Sequence, residues 1–203
     1  MIIITFFVLH AISYTVYSSD SLYRASVVFG RDADVSVTSF GLYDHTGNLL
    51  YHAQGLDART LYVSTTGSVF AVGDTHLCLY TAEGKEMYLE KLNCPNSFGF
   101  SPDDSLFFSS DRDGITAYSN QGTVVYALRP GRLFASTEQG ELIAIVAVDT
   151  VFVYEYGIEK LSTVLATPYA RSIVFTDDGM SIIIEEPTGT ETIHVPGRIG
   201  DEQ

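Results

Sequence analysis

A polar turn signal of one kind recurs about every 37 residues along this chain, always between short apolar runs. The segments read Val63-Ser-Thr-Thr-Gly-Ser, Phe100-Ser-Pro-Asp-Asp-Ser, Ala135-Ser-Thr-Glu-Gln-Gly and Phe175-Thr-Asp-Asp-Gly-Met. Their anchors, Ser64, Ser101, Ser136 and Thr176, are 37, 35 and 40 residues apart. A second signal, Asp44-His-Thr-Gly47, Thr81-Ala-Glu-Gly84 and Ser119-Asn-Gln-Gly122, places its glycines 37 and 38 apart. A steady period in this range is the mark of a repeat architecture.

The third copy shows what one period contains. Phe98–Ser101, Ser105–Ser110, Gly114–Ser119 and Thr123–Leu128 are short runs with period-two character. Between them stand Pro102-Asp-Asp, Asp111-Arg-Asp and Asn120-Gln-Gly, residues that preset or tolerate turn dihedrals. Four antiparallel strands in about 37 residues make one blade of a β-propeller. The second copy runs from Leu61 to Leu92, the fourth from Leu133 to Ala166, and a weaker first copy from Arg24 to Gln54. A fifth copy starts at Ser172 and lacks its outermost strand. The expected fold is therefore all-β: a small or partial β-propeller of four-stranded blades, about five copies with the last incomplete. The missing strand has two sources, which the sequence leaves open. An N-terminal strand, from Asp20–Ser26 or from the apolar leader, completes the last blade. Alternatively the chain is an arc of a larger propeller, completed by an associating partner or by further sequence.

Composition agrees with a β-rich chain that folds. Apolar residues make up 46% and charged residues 18% of it, with 13 Tyr and 12 Phe. The net charge of −14 and the lack of any Lys/Arg cluster exclude a phosphate-backbone footprint, so nucleic acid is not an expected partner. Anionic membrane surfaces are disfavoured on the same ground. Ile2 to Tyr17 is uncharged and apolar, a length suited to a signal-peptide core, with Val16-Tyr17-Ser18 offering a cleavage point. Residues 1–18 are accordingly read as a signal peptide, 19–197 as propeller repeats and 198–203 as a polar tail, which implies export to the periplasm or outside the cell. No other stretch could span a membrane. Cys78 and Cys94 are read as two separate thiols, because the expected register puts them about 15 Å apart and a bridge needs Cα atoms within about 7 Å.

Phe100-Ser-Pro-Asp-Asp-Ser-Leu and Phe175-Thr-Asp-Asp-Gly-Met resemble the Ser-Pro-Asp-Gly turn of WD40-like and TolB-like propeller repeats. Leu42-Tyr-Asp-His-Thr-Gly-Asn-Leu-Leu-Tyr is similar to the closing hairpin of quinoprotein-like (PQQ-type) repeats. Together these cover about residues 24–195. They imply blades and no particular biochemical family, and the chain has no Trp to supply a Trp-Asp blade ending.

Candidate chemistry is sparse. Ser109-x-Asp111-x-Asp113-Gly114 approaches a calcium loop, making Asp111 and Asp113 the candidate metal positions, although Asn120 stands where a bidentate Glu is needed. The same residues form a good hairpin turn. The histidines, His10, His45, His52, His76 and His194, are not paired at metal-ligand spacing. Glu185-Glu186 and Glu138/Glu141 are carboxylate pairs, but strand neighbours face opposite ways. The aromatics Phe107, Phe108, Tyr118, Tyr126, Phe152, Tyr154 and Tyr156 are expected to pack between blades. No catalytic or cofactor motif appears. The sequence thus points to a non-catalytic extracytoplasmic binding or scaffold module. Its alternatives are a propeller-type hydrolase or lyase with residues converging on a central channel, and a fragment of a longer propeller.

Overall fold

The computed structural model describes residues 13–29, 37–137, 140–165 and 169–196. The chain divides into two compact units, Met1–Glu90 and Lys91–Gln203. All regular structure among the described residues is antiparallel β-sheet.

The first unit holds two four-stranded sheets. One is built from β1 (Ser13–Tyr17), β2 (Tyr23–Phe29), β3 (Val37–Asp44) and β4 (Leu49–Ala58), in that spatial order. The other orders β5 (Thr60–Val63), β6 (Val69–Val72), β7 (His76–Tyr80) and β8 (Glu86–Lys91). The second unit holds three sheets in the same up-and-down order. They are β9 (Ser97–Phe100), β10 (Leu106–Ser110), β11 (Ile115–Ser119) and β12 (Val124–Leu128); then β13 (Leu133–Ser136), β14 (Leu142–Ala147), β15 (Thr150–Glu155) and β16 (Ile158–Val164); then β17 (Ser172–Phe175), β18 (Ser181–Glu186) and β19 (Gly189–His194). The fifth sheet is three-stranded, as its truncated sequence suggests. In each unit one pair of successive sheets sets its first strands side by side, β1 beside β5 and β13 beside β17.

One turn joins the first two strands of every sheet. Its anchor is Ser18, Ser64, Ser101, Thr137 or Thr176. The anchor N–H donates to the carbonyl of Tyr23, Ser68, Leu106, Leu142 or Ser181 at 2.9–3.0 Å. The N–H of that same residue returns a 3.0 Å bond to the anchor hydroxyl in all five. Three residues after the anchor the backbone turns left-handed, at Ser21 (φ 60), Gly67 (φ 80), Asp104 (φ 57), Gly140 (φ 67) and Gly179 (φ 67). A hydroxyl closes this turn because it accepts from a strand N–H that has no ladder partner; without it that buried donor would cost about 1–3 kcal/mol.

The turn corrects the sequence reading in three places. The fourth anchor is Thr137, not Ser136, whose residue ends β13. The first copy begins at β1, not at Arg24, and its anchor is Ser18, giving intervals of 46, 37, 36 and 39. Tyr23–Phe29 is ladder-paired on both sides, to β1 and β3, so this segment belongs to the first sheet and does not complete the fifth. The described part of the apolar leader, Ser13–Ser18, is a strand and a buried anchor.

The core sits on the second and third strands. β6, β10 and β14 are buried along nearly their whole length, which explains the unbroken apolar character of β6 and β14; β10 ends in two buried serines, Ser109 and Ser110. Leu106, Phe108, Ile115 and Ala117 pack with Ile143 and Ile145 of β14. Leu142, Ala144, Val146, Val151 and Val153 pack the other face of the fourth sheet against Ile173, Ile182 and Ile184 of the fifth. Each fully buried Ile or Phe contributes roughly 1.5–3 kcal/mol, so packing outweighs any single turn. Tyrosines on outer strands lock successive sheets. The Tyr51 ring lies where a Cβ on Gly84 (φ 78) would sit, 2.8 Å away, and Tyr126 stands in the same relation to Gly157 (φ 82) at 3.1 Å. The Tyr126 hydroxyl adds a 2.9 Å bond to the Gly140 carbonyl.

Candidate functional site

Alternation along β7 puts His76, Cys78 and Tyr80 on one face and the buried Leu77 and Leu79 on the other, with Cys78 and Tyr80 themselves part of the core cluster of the first unit. Their face borders a cleft with room for about 120 Å³, floored by Ala71 of β6 and walled by Asp57 of β4 and Glu86 of β8. The Tyr80 hydroxyl donates to the Glu86 carboxylate; burial first, then that carboxylate, push the phenol above its ordinary value. Burial, and secondarily Glu86, likewise push the Cys78 thiol up. A raised thiol stays protonated at neutral pH, so Cys78 is a hydrogen-bond donor rather than a nucleophile. The cleft can seat a small polar ligand between donors and two carboxylates, Asp57 and Glu86. Sequence reading passed over it because its walls come from β4, β6, β7 and β8, and no motif links them. The one available signal was the His-x-Cys-x-Tyr alternation inside an otherwise apolar third strand.

Asp111 and Asp113 lie in the β10–β11 turn. Asp111 accepts from the backbone N–H of Asn93 (2.7 Å), Asp113 (2.8 Å) and Gly114 (3.1 Å). Both Asp113 oxygens accept from Asn93 Nδ2 at 3.2 Å. Asn120 sits in a different turn and donates to the Asp104 carbonyl at 2.7 Å. These side chains tie the hairpin to the segment after β8. Among the described residues no three His, Cys, Asp or Glu side chains are grouped to hold a metal ion.

The remaining acids and histidines are dispersed. His10 and Glu138 lie outside the described residues. His45 occupies an exposed turn, while His52 on β4 pairs with Gln54 at 3.3 Å. His194 is exposed on β19. Glu185 accepts from the Ser172 hydroxyl at 2.9 Å, and Glu141 accepts from Tyr156 at 3.0 Å. Asp20, Asp103 and Asp178 each cap an anchor hydroxyl at 2.6–2.7 Å. The anchor bond is the leading cause holding the Asp20 and Asp178 carboxyls below their usual range; at Asp103 burial opposes and the combined hydrogen bonds prevail. Sequence reading did not single out Glu155, which is buried at the end of β15 and meets Lys160 Nζ at 3.1 Å. Phe107, Phe108, Tyr118 and Tyr154 are core residues as expected, whereas Tyr156 is 64% exposed in the β15–β16 turn. No protein-family model matches the chain, and no curated protein matches it.

Proposed function

We propose that this chain is a propeller-type, non-catalytic binding or scaffold module that works outside the cytoplasm. The observation that carries the reading is the shared turn: one hydroxyl-anchored geometry opens five successive sheets, and in each unit one pair of successive sheets, β1 with β5 and β13 with β17, sets first strand beside first strand. Repeated up-and-down sheets of this kind are what propeller blades are built from, which supports the reading. The cleft at Cys78 supports binding over covalent chemistry, since its thiol is held protonated. Export rests on the uncharged Ile2–Tyr17 segment. A cut after Ser18 would remove β1 and the first anchor, so N-terminal sequencing of exported protein tests both export and the cleavage point.

Solution scattering of the full chain is the primary test. A compact propeller of this length has a radius of gyration of about 17 Å. A value well above that, with two separate lobes, overturns the propeller. Turnover in a hydrolase panel that Glu86→Gln abolishes would overturn the non-catalytic part.

A further inference from the structure

The fifth sheet ends on a strand that is the third strand of every other sheet. We infer that the outer edge of β19 receives an extended, positively charged segment of another polypeptide, added as the fourth strand.

Backbone phase fixes which groups are offered. The two-residue Pro187-Thr188 turn makes Glu186 and Gly189 a bonded pair. The 2.9 Å bond from Val195 N–H to the Met180 carbonyl keeps that phase at the far end. Gly189, Glu191, Ile193 and Val195 therefore bond inward to β18. Thr190, Thr192 and His194 aim N–H and C=O away from the sheet, where no described strand pairs with them.

Other outer edges are blunted and this one is not. The β3–β4, β11–β12 and β15–β16 ladders each carry a register shift. Lys160 stands on β16, and Lys91 ends β8. Bulges and lysines are the usual devices against strand addition. The β18–β19 ladder runs through six pairs without a shift, and β19 contains neither Lys nor Pro. Its Thr and Ile residues favour an extended partner.

Charge selects that partner. Glu191 lies on the edge strand itself, Glu186 ends β18 at the hairpin turn beside it, and the chain as a whole carries −14. A second copy would bring the same charge, whereas a basic segment complements it.

The inference deepens the binding-module reading, and its test has a separate readout. The probe is a synthetic decapeptide alternating Lys with Val and Thr, with a Glu-for-Lys version as control. Amide exchange on the full chain should slow at Thr190, Thr192 and His194 when the Lys peptide is added, and the effect should weaken with salt. Thr192→Pro removes an outward donor and no ladder bond; it should weaken peptide binding at least tenfold. Thr192→Lys, which keeps the N–H and adds an edge lysine, should weaken it less. Equal binding to Thr192→Pro, protection elsewhere, or equal binding of the Glu peptide overturns the inference. So does a dimer, seen by sedimentation, that Thr192→Pro dissociates. A failed scattering test would overturn the propeller while leaving these exchange results intact.

Discussion

The fourth and fifth sheets begin alike and end differently. Both open with the same hydroxyl-anchored turn, at Thr137 and Thr176, with equal bond lengths to the next strand. The fourth is then covered on both faces, so β14 reads Leu-Ile-Ala-Ile-Val-Ala, and Val151 and Val153 of β15 are buried. The fifth is covered on one. Ile182 and Ile184 face the core while Ile183 and Val174 face outward, Val174 at 50% exposure. At the sites matching Val151 and Val153, β19 has Thr190 and Thr192. Turn chemistry is thus local and survives unchanged, whereas strand chemistry records how many neighbours a sheet has.

Core truncation should separate the two sheets most. Ile145→Ala should cost about 2–5 kcal/mol in urea unfolding, and Ile183→Ala under about 1 kcal/mol; equal losses would erase the distinction. Gly157→Ala comes next. It forces a side chain into a left-handed position against Tyr126, a cost of order 1–3 kcal/mol. The three-stranded fifth sheet contains no counterpart to this hairpin. Thr137→Ala and Thr176→Ala should each cost about 1 kcal/mol and agree within about half of that. A large disparity would show that the turn depends on its surroundings after all.

The smallest effect lies in acid. Thr176 lowers the Asp178 carboxyl from its usual 3.8, so folding favours the ionised form. The resulting stabilisation is complete above the usual value and disappears as pH falls through the lower folded one. Asp178→Asn should therefore separate from the parent protein at pH 7 and converge with it in strong acid, as read by urea midpoints. A constant gap at all pH values would remove the carboxylate from the account.

Strand positions in the second, third and fourth copies were legible because Gly, Asp and Pro mark turns through their own dihedrals. The first copy was obscured for two reasons. Its interval to the next anchor is longer, and Ser18 follows an apolar run that also fits a leader. Ser136 and Thr137 are adjacent hydroxyls, and only the backbone phase of β13 decides which one bonds. Asp111 and Asp113 showed their turn role in sequence, but their bonds to Asn93 cross 18 and 20 residues. The cleft at Cys78 was hidden because proximity between β4 and β7 is a property of sheet packing.

Tyr51 meets Gly84, Tyr126 meets Gly157, and Tyr23 meets Gly67. In every case the ring comes earlier in the chain than the glycine that receives it. The assembly consequently has a direction. A polypeptide emerging from its N-terminus exposes each plug before its socket is made, and the second and fourth sheets close over rings already in place. A sheet-length deletion would strand a tyrosine, while a sheet-length duplication would supply both halves of another joint.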